Sequence, residues 1–388
     1  MEERDNKPIN AHYLLEQEPI RFTEDQIDDL LMQCYDMESS DITFQTSEPI
    51  FAETHGKMLK VTRRQLTNSE VSEIINNMYG ANGTAQLQSG YDIDTHYEIR
   101  PNRSERYRFR VNATACMVDG EDGIQITARS IPNEPPGLAS LDLPQDLEQS
   151  LTPEEGVVYV TGATGSGKST LLASIIKDIV EQEAGNRKVL TYESPIEFVY
   201  DAVQKPSSIV SQTEIPRHLS GFATGVRNAL RRKPRLILVG EARDQETISS
   251  VFEAAMTGHP VYTTLHSNGV AETVRRLVNM FPKEERHGRT LDLFETIRVI
   301  VWQKLVPDLE GKRVALREYL VFNEEIRDKL VNADPDEATA ISRQLLHEHG
   351  QTMAEDAQKK YDEGYISERT LKVLLSYAER ADKDMGVE

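Results

Sequence analysis

The stretch GVVYVTGATGSGKSTLLASII, Gly156–Ile176, decides the fold. Its first half is a short, unbroken apolar run of buried-strand type, and its last part carries apolar residues at helical spacing. Between them stand Gly162, four residues, then Gly167, Lys168 and Ser169. A strand, a glycine-rich turn, a lysine, a hydroxyl and a helix in that order make a phosphate-holding loop. Gly165 and Gly167 let the backbone curl until successive N–H groups point inward at an anion, and the start of the helix adds its positive dipole end. The candidate nucleotide-binding stretch is therefore Gly162, Ala163, Thr164, Gly165, Ser166, Gly167, Lys168, Ser169 and Thr170. Lys168 is expected to reach the β and γ phosphates of ATP, and the Ser169 hydroxyl to be the Mg²⁺ ligand. The plainer reading, a glycine-rich turn with a surface lysine, leaves the coincidence of all five features unexplained.

Downstream the rhythm of strand then helix continues: RKVLTYE, FATGVRNALRR, RLILVGE, QETISSVFEAAMTG, HPVYTTLHS and AETVRRLVNMF. Short apolar strands alternating with amphipathic helices predict a mostly parallel sheet covered on both faces. Such a sheet places its ligand at the carboxyl ends of its strands. LTYE ends in Glu193 with Glu197 close behind, RLILVGE ends in Glu241, and VYTTLH ends in His266. Glu241 is placed to orient or deprotonate an attacking water, as phosphoryl transfer to water requires. Glu193 and Glu197 would position that water or hold the Mg²⁺ shell, and His266 would sense the γ-phosphate or bridge it to the catalytic acid. For each of the four the competing reading is a solvated side chain at a strand end. The basic run RNALRRKPR, residues 227–235, reads as the end of a helix leading into the Glu241 strand, not as a nucleic-acid patch.

Upstream, residues 1–20 are polar and expected to be loosely held. From Thr23, TEDQIDDLLMQCYDM offers an N-cap, a Gln three residues on and helical spacing. SSDITFQ and the segments after it read as strands and turns, NSEVSEIINNMYG as a second helix, and YDIDTHYEI, RYRFRVNATACMV and GIQITARSI as three strands. An α+β N-terminal domain over residues 21–130 follows. IPNEPPGLASLDLP, residues 131–144, has four prolines and reads as a stiff linker. The second domain is expected over 145–306 and a charged, mostly helical C-terminal region over 307–388.

The chain of 388 residues suits two or three domains. Its 64 acidic against 44 basic side chains give a net charge of -20, which disfavours direct contact with nucleic acid or an anionic membrane. Cys34 and Cys116 stand far apart and suggest no disulfide framework, so a reducing, cytoplasmic location is expected. No signal-peptide core or apolar span is evident, so any membrane contact is expected to run through partners. His347 and His349 are spaced two apart, which does not place both on one helical face for a zinc ion.

The motifs GATGSGKST, TYESPIEF, LILVGEARDQET and TTLHS, in that order, resemble the secretion-superfamily ATPases that power type II and type IV secretion and pilus movement. The chain looks nearest to the pilus-retraction branch and its relative in Dot/Icm-type (type IVB) secretion. The resemblance begins about Ser39 and includes RFRVNA, Arg108–Ala113, and ends near residue 300. It implies an α/β subunit with a PAS-like α+β N-terminal domain, a RecA-like P-loop ATPase domain and a helical C-terminal tail. It further implies a homohexamer, driven by ATP with Mg²⁺ and recruited to inner-membrane-associated components of the secretion machine. Arginines of the N-terminal domain reach the nucleotide in such rings, which makes Arg110 and Arg129 candidates with Arg108 behind them. The residues themselves show only that Arg106, Arg108 and Arg110 share one strand face, equally consistent with a solvated basic face. In place of the retraction branch's C-terminal signature stands LLHEHGQTMAEDAQKKYDEGYIS, which fits the type IVB relative better. Besides a type IVB motor closing its two domains on nucleotide, the sequence admits a pilus-retraction motor, a nucleic-acid motor or a nucleotide-gated assembly factor.

Overall fold

The computed structural model describes Leu15 and residues 17–54, 56–102, 105–310 and 312–383; residues 1–14 and 16, most of the segment expected to be loosely held, lie outside the described residues. The chain forms two compact units, residues 1–133 and 134–388.

In the first unit the elements run α1 (Glu24–Asp36), β1 (Ser39–Gln45), β2 (Phe51–Thr54), β3 (Lys57–Lys60), α2 (Asn68–Tyr79), α3 (Gly83–Gln88), β4 (Ile93–Ile99), β5 (Tyr107–Val118) and β6 (Glu121–Ile131). Helix α1 starts where the sequence caps it, with the Gln26 side chain accepting from the Thr23 N–H at 3.1 Å. The strands make one antiparallel sheet in the order β3-β2-β1-β6-β5-β4. Period-two alternation sorts its faces: Phe109, Val111 and Ala113 of β5 lie in the core with Leu31, Ile74 and Ile75 of the helices, while Arg110 and Asn112 point the other way.

In the second unit a short 3-10 turn (Leu138–Leu141) is followed by α4 (Gln145–Ser150), β7 (Gly156–Thr161), α5 (Lys168–Glu181), β8 (Lys188–Glu193), β9 (Ile209–Glu214), α6 (Phe222–Ala229), β10 (Leu236–Val239), α7 (Gln245–Met256) and β11 (Pro260–Leu265). Then come α8 (Val270–Asn279), α9 (Lys283–Thr296), β12 (Ile297–Pro307), β13 (Arg313–Val321), α10 (Glu324–Val331), α11 (Ala338–His349), α12 (Met353–Asp362) and α13 (Glu368–Lys383). The sheet order is β13-β12-β7-β11-β10-β8-β9, parallel except for β13. All six residues of β7 are buried. Val157 and Tyr159 face the layer that holds Val251 and Phe252, and Val158 and Val160 face Leu172 and Ile176 of α5. Helices on both faces are the reason the strand reads as continuously apolar.

Three features differ from the sequence reading. The linker segment is not all linker, because Leu138 is buried in the core of the second unit. The basic run is only partly helical: α6 stops at Ala229, and the chain turns through Lys233, at a φ of 55°, before β10. The sheet also does not end at residue 306, for β12 runs on into an antiparallel hairpin with β13. The charged residues of GKRVALREYLV hid that strand, since Arg317 and Glu318 are 4% and 9% exposed and satisfied by partners distant in sequence. The C-terminal helices pack onto this unit: Leu345 and Leu346 of α11 join the main core, and Ala357, Ile366 and Leu371 form a small core on Val306 and Leu316. Among the described residues no helix is long and apolar enough to cross a membrane.

Glu318 makes this packing sensitive to pH. Its carboxylate accepts from the Val270 N–H at 2.8 Å and the Met353 N–H at 3.3 Å, with Glu272 and its ion-pair partner Arg343 nearby. Burial nevertheless pushes its pKa from 4.5 up to about 7. Between those values the folded chain holds a proton that the unfolded chain has lost, so this contribution is full below pH 4.5 and lost as pH rises through 7. Glu318→Gln removes the charge but leaves one acceptor oxygen for the two N–H groups, so it is expected to start from a lower melting temperature at pH 5 and to lose a few degrees less than the native chain between pH 5 and pH 8. Thermal unfolding in the two buffers checks this; an equal loss in both chains would take the pH dependence from Glu318.

Candidate functional site: a phosphate loop at the sheet edge

Strands β7, β11, β10 and β8 are consecutive neighbours in the sheet, so their carboxyl ends line up side by side. The loop after β7, His266 after β11, Glu241 after β10 and Glu193 at the end of β8 therefore share one edge, although they are spread over a hundred residues of sequence.

The loop is held in an unusual backbone conformation. Gly162, Gly165 and Gly167 have φ of +142°, +75° and +82°, which L side chains rarely adopt. A Cβ on Gly162 would lie 2.4 Å from the Gln303 carbonyl oxygen, and one on Gly167 would lie 2.8 Å from the Gln303 Nε2. Ala163, Thr164 and Gly165 are exposed, whereas Ser166 and Lys168 are buried. Ser169 and Thr170 are half-buried in the first turn of α5. Lys168 Nζ donates to the carbonyls of Gly162 and Ala163, both at 2.9 Å. Burial pulls its pKa down, and the charges of Glu241 and Glu197 push it back up. Those two carboxylates are thus the ones that act on the lysine.

Glu241 is oriented from two sides. Its Oε2 lies 2.5 Å from Arg243, whose guanidinium holds its proton more tightly for that bond, and its Oε1 lies 3.4 Å from Nε2 of His266. The other ring nitrogen of His266 lies 3.2 Å from the Gly162 carbonyl, so the imidazole spans from the loop to the acid. Arg276 donates to the His266 carbonyl at 2.6 Å, and Thr264 to the Gly240 carbonyl at 2.6 Å, fixing the two strand ends against each other.

Glu193 is turned differently. Its carboxylate accepts from Thr191 at 2.6 Å and from Gln212 of β9 at 3.1 Å, so it braces the outer strands. In the first unit, each candidate arginine is engaged by a carboxylate of its own sheet. Arg110 pairs with Asp94 at 2.7 Å and Arg129 with Asp41 at 2.8 Å. Arg106 and Arg108 lie 3.4 Å and 3.6 Å from Glu98, Arg108 being only 2% exposed. Arg110 and Arg129 stand directly opposite each other on β5 and β6.

Sequence reasoning missed Arg243 and Gln303. The first lies two residues beyond Glu241, within reach of any reading of GEARD. The second is a polar residue inside an apolar strand, and such a residue, when buried, has a hydrogen-bonding task. Also unforeseen is a cavity of about 350 Å³ beside Gly167 and Thr170, walled by Leu305, Arg313, Arg317, Tyr365 and the Lys360–Asp142 ion pair.

A glycine-rich loop with its lysine, at the carboxyl edge of a parallel sheet and flanked by an acid and a histidine, is the arrangement of P-loop nucleotide-binding domains. Within that class, the chain belongs to the type II/IV secretion system protein family, which matches it over residues 16–312. It is similar to the ATPase DotB of Legionella pneumophila, known from an X-ray structure: 60% identical, covering 94% of this chain and 99% of that one, with a TM-score of 0.86. It is also similar to the pilus retraction motor PilT in its crystal structure with bound ADP, at 29% identity, 89% and 96% coverage and a TM-score of 0.76. A twitching motility protein of Neisseria gonorrhoeae is 33% identical over 81% of this chain and 80% of its own length. The secretion-ATPase resemblance and the α/β fold class read from the motifs are borne out.

Proposed function

We propose that the chain is the ATP-hydrolysing motor of a type IVB, Dot/Icm-like secretion system, working as a homohexamer on the cytoplasmic side and recruited to the inner membrane by the secretion machine. The observation that carries this reading is the 60% identity to an ATPase over 94% of the chain, and the glycine loop with Lys168 and the Glu241–His266 contact at the same sheet edge support it. The reaction is ATP plus water to ADP plus phosphate.

The residues divide the work. Backbone N–H groups of Gly162–Thr170 hold the phosphates, and Lys168 exchanges its two loop carbonyls for phosphate oxygens. Mg²⁺, when bound, would supply charge neutralisation, and the Ser169 hydroxyl is the side chain placed at the loop to hold a hard cation that keeps several waters. Glu241 takes the proton of the attacking water, with Arg243 and His266 holding it in place. His266, which bridges from Gly162 to Glu241, links the state of the loop to the acid. Glu197 tunes Lys168, and Glu193 keeps the β8 end rigid. Arg110 and Arg129 would engage the nucleotide by giving up Asp94 and Asp41, and the resulting closure of the two domains would be the mechanical output.

Steady-state Mg²⁺-ATP turnover per subunit, measured across protein concentration, tests the ring. Turnover per subunit is expected to climb at least about tenfold as the ring assembles, because any group supplied by a neighbour is missing from the monomer. Turnover independent of concentration in a chain that stays monomeric by light scattering would overturn it. Omission of Mg²⁺ is expected to abolish the activity.

A further inference from the structure

We propose that Gln303 is a positioning residue for the phosphate loop, and that helix α12 tunes nucleotide affinity through it by way of Arg317 and Asp356. The proposal rests on the reading of the loop as an ATP site.

Gln303 lies on β12, next to β7, and is 3% exposed. Its Nε2 donates to the Ser166 carbonyl at 2.7 Å, and its Oε1 accepts from Arg317 Nε at 2.9 Å. The orientation of this amide is not free. A carbonyl can only accept and a guanidinium can only donate, so the nitrogen must face the loop and the oxygen must face Arg317. Arg317 stands directly opposite Gln303 on β13. Its backbone N–H donates to Asp356 of α12 at 2.7 Å and its backbone carbonyl accepts from the Gln351 side chain at 3.0 Å, so α12 fixes the main chain from which the guanidinium reaches Gln303. Arg317 and Asp356 are each 4% exposed, so all three members of the chain are removed from water. In that setting their hydrogen bonds are costly to leave unmade.

Peptide planarity gives this chain its consequence. In a trans peptide the C=O and the following N–H point in opposite directions. Pinning the Ser166 carbonyl onto Gln303 therefore turns the Gly167 N–H away from the strand, toward the side where the loop must present donors to an anion. The loop glycines fit the same residue, because Cβ atoms at Gly162 and Gly167 would strike the Gln303 carbonyl and side chain. Gln303 thus shapes the floor of the loop, and α12 holds Gln303 through two buried bonds.

Isothermal titration with Mg²⁺-ATPγS and steady-state turnover separate the outcomes. Gln303→Glu keeps the size, and its carboxylate keeps Arg317, but it cannot donate to Ser166. Its Kd and KM are expected to rise about tenfold with stoichiometry and kcat held within about twofold. Asp356→Ala is expected to weaken binding about threefold, Asp356→Asn, which still accepts from Arg317, to bind as the native chain does, and the double variant Gln303→Glu/Asp356→Ala to be no weaker than Gln303→Glu alone. A Gln303→Glu chain that binds like the native one, or that loses stoichiometry with unchanged Kd, would show Gln303 to be structural only. Additive effects at 303 and 356 would remove α12 from the proposal. A native chain that binds no nucleotide would overturn the ATPase reading itself and this inference with it.

Discussion

Glu241→Gln is expected to lower steady-state turnover by about 10²- to 10⁴-fold, the usual contribution of a general base, while leaving nucleotide binding intact or slightly tighter. The substitution keeps the size, so the amide oxygen can still accept from Arg243 while the amide nitrogen faces Nε2 of His266, where the native carboxylate oxygens lie 2.5 Å and 3.4 Å from the two partners. What it removes is the ability to take a proton from water. It also removes a negative charge that acts on Lys168, from a site that must accept a triphosphate. Binding and chemistry should therefore move apart, which a folding defect cannot imitate. Fluorescent-nucleotide titration beside phosphate release checks this. Unchanged turnover would take the catalytic role from Glu241 and favour a nucleotide-gated assembly factor over a motor.

The second large effect is expected at Gly162. Gly162→Ala places a methyl group 2.4 Å from the Gln303 carbonyl oxygen and 2.6 Å from Ser166 Oγ, at a φ of +142°. The Gln303 carbonyl is backbone of β12, held in the sheet, so it cannot swing aside as a side-chain tip would. Relief has to come from the loop, at a cost of about 3 kcal/mol in strain and displaced contacts. Nucleotide affinity is expected to fall at least about 100-fold, since 1.4 kcal/mol corresponds to a tenfold change. Gly165→Asn is the matched control: its φ of +75° suits asparagine, and nothing lies within 4 Å of its Cβ position. That variant should bind within a fewfold of the native chain, measured by the same titration. Equal losses at both positions would mean that glycine is needed for flexibility, not for the close approach to β12.

Features built from residues close together in the chain are legible in the amino-acid sequence. GATGSGKST encodes its own geometry, because glycine conformations and a helix start are set by neighbouring atoms. Glu241 and His266 are legible for a related reason, each standing within two residues of the end of a strand that its mostly apolar run marks as buried. Glu193 meets the same criterion, yet its carboxylate turns toward Gln212, because the neighbouring strand is β9 and not the loop. The strand β13 is hidden for the opposite reason: Arg317 and Glu318 look solvated until Asp356 and the N–H groups of Val270 and Met353 arrive beside them.

The amino-acid sequence by itself determined the phosphate loop, the alternation of strands and helices, and the set of acids offered at the strand ends. Each follows from local backbone sterics and from which faces are apolar. Only the tertiary structure decided which acids act on Lys168, what supports Glu241, and that Gln303 underlies the loop. These depend on strand order in a parallel sheet, where neighbours come from far along the chain: His266 meets Gly162 across 104 residues, and Gln303 meets Ser166 across 137. No local pattern encodes such a pairing, because it is set by how the whole sheet buries both of its faces at once.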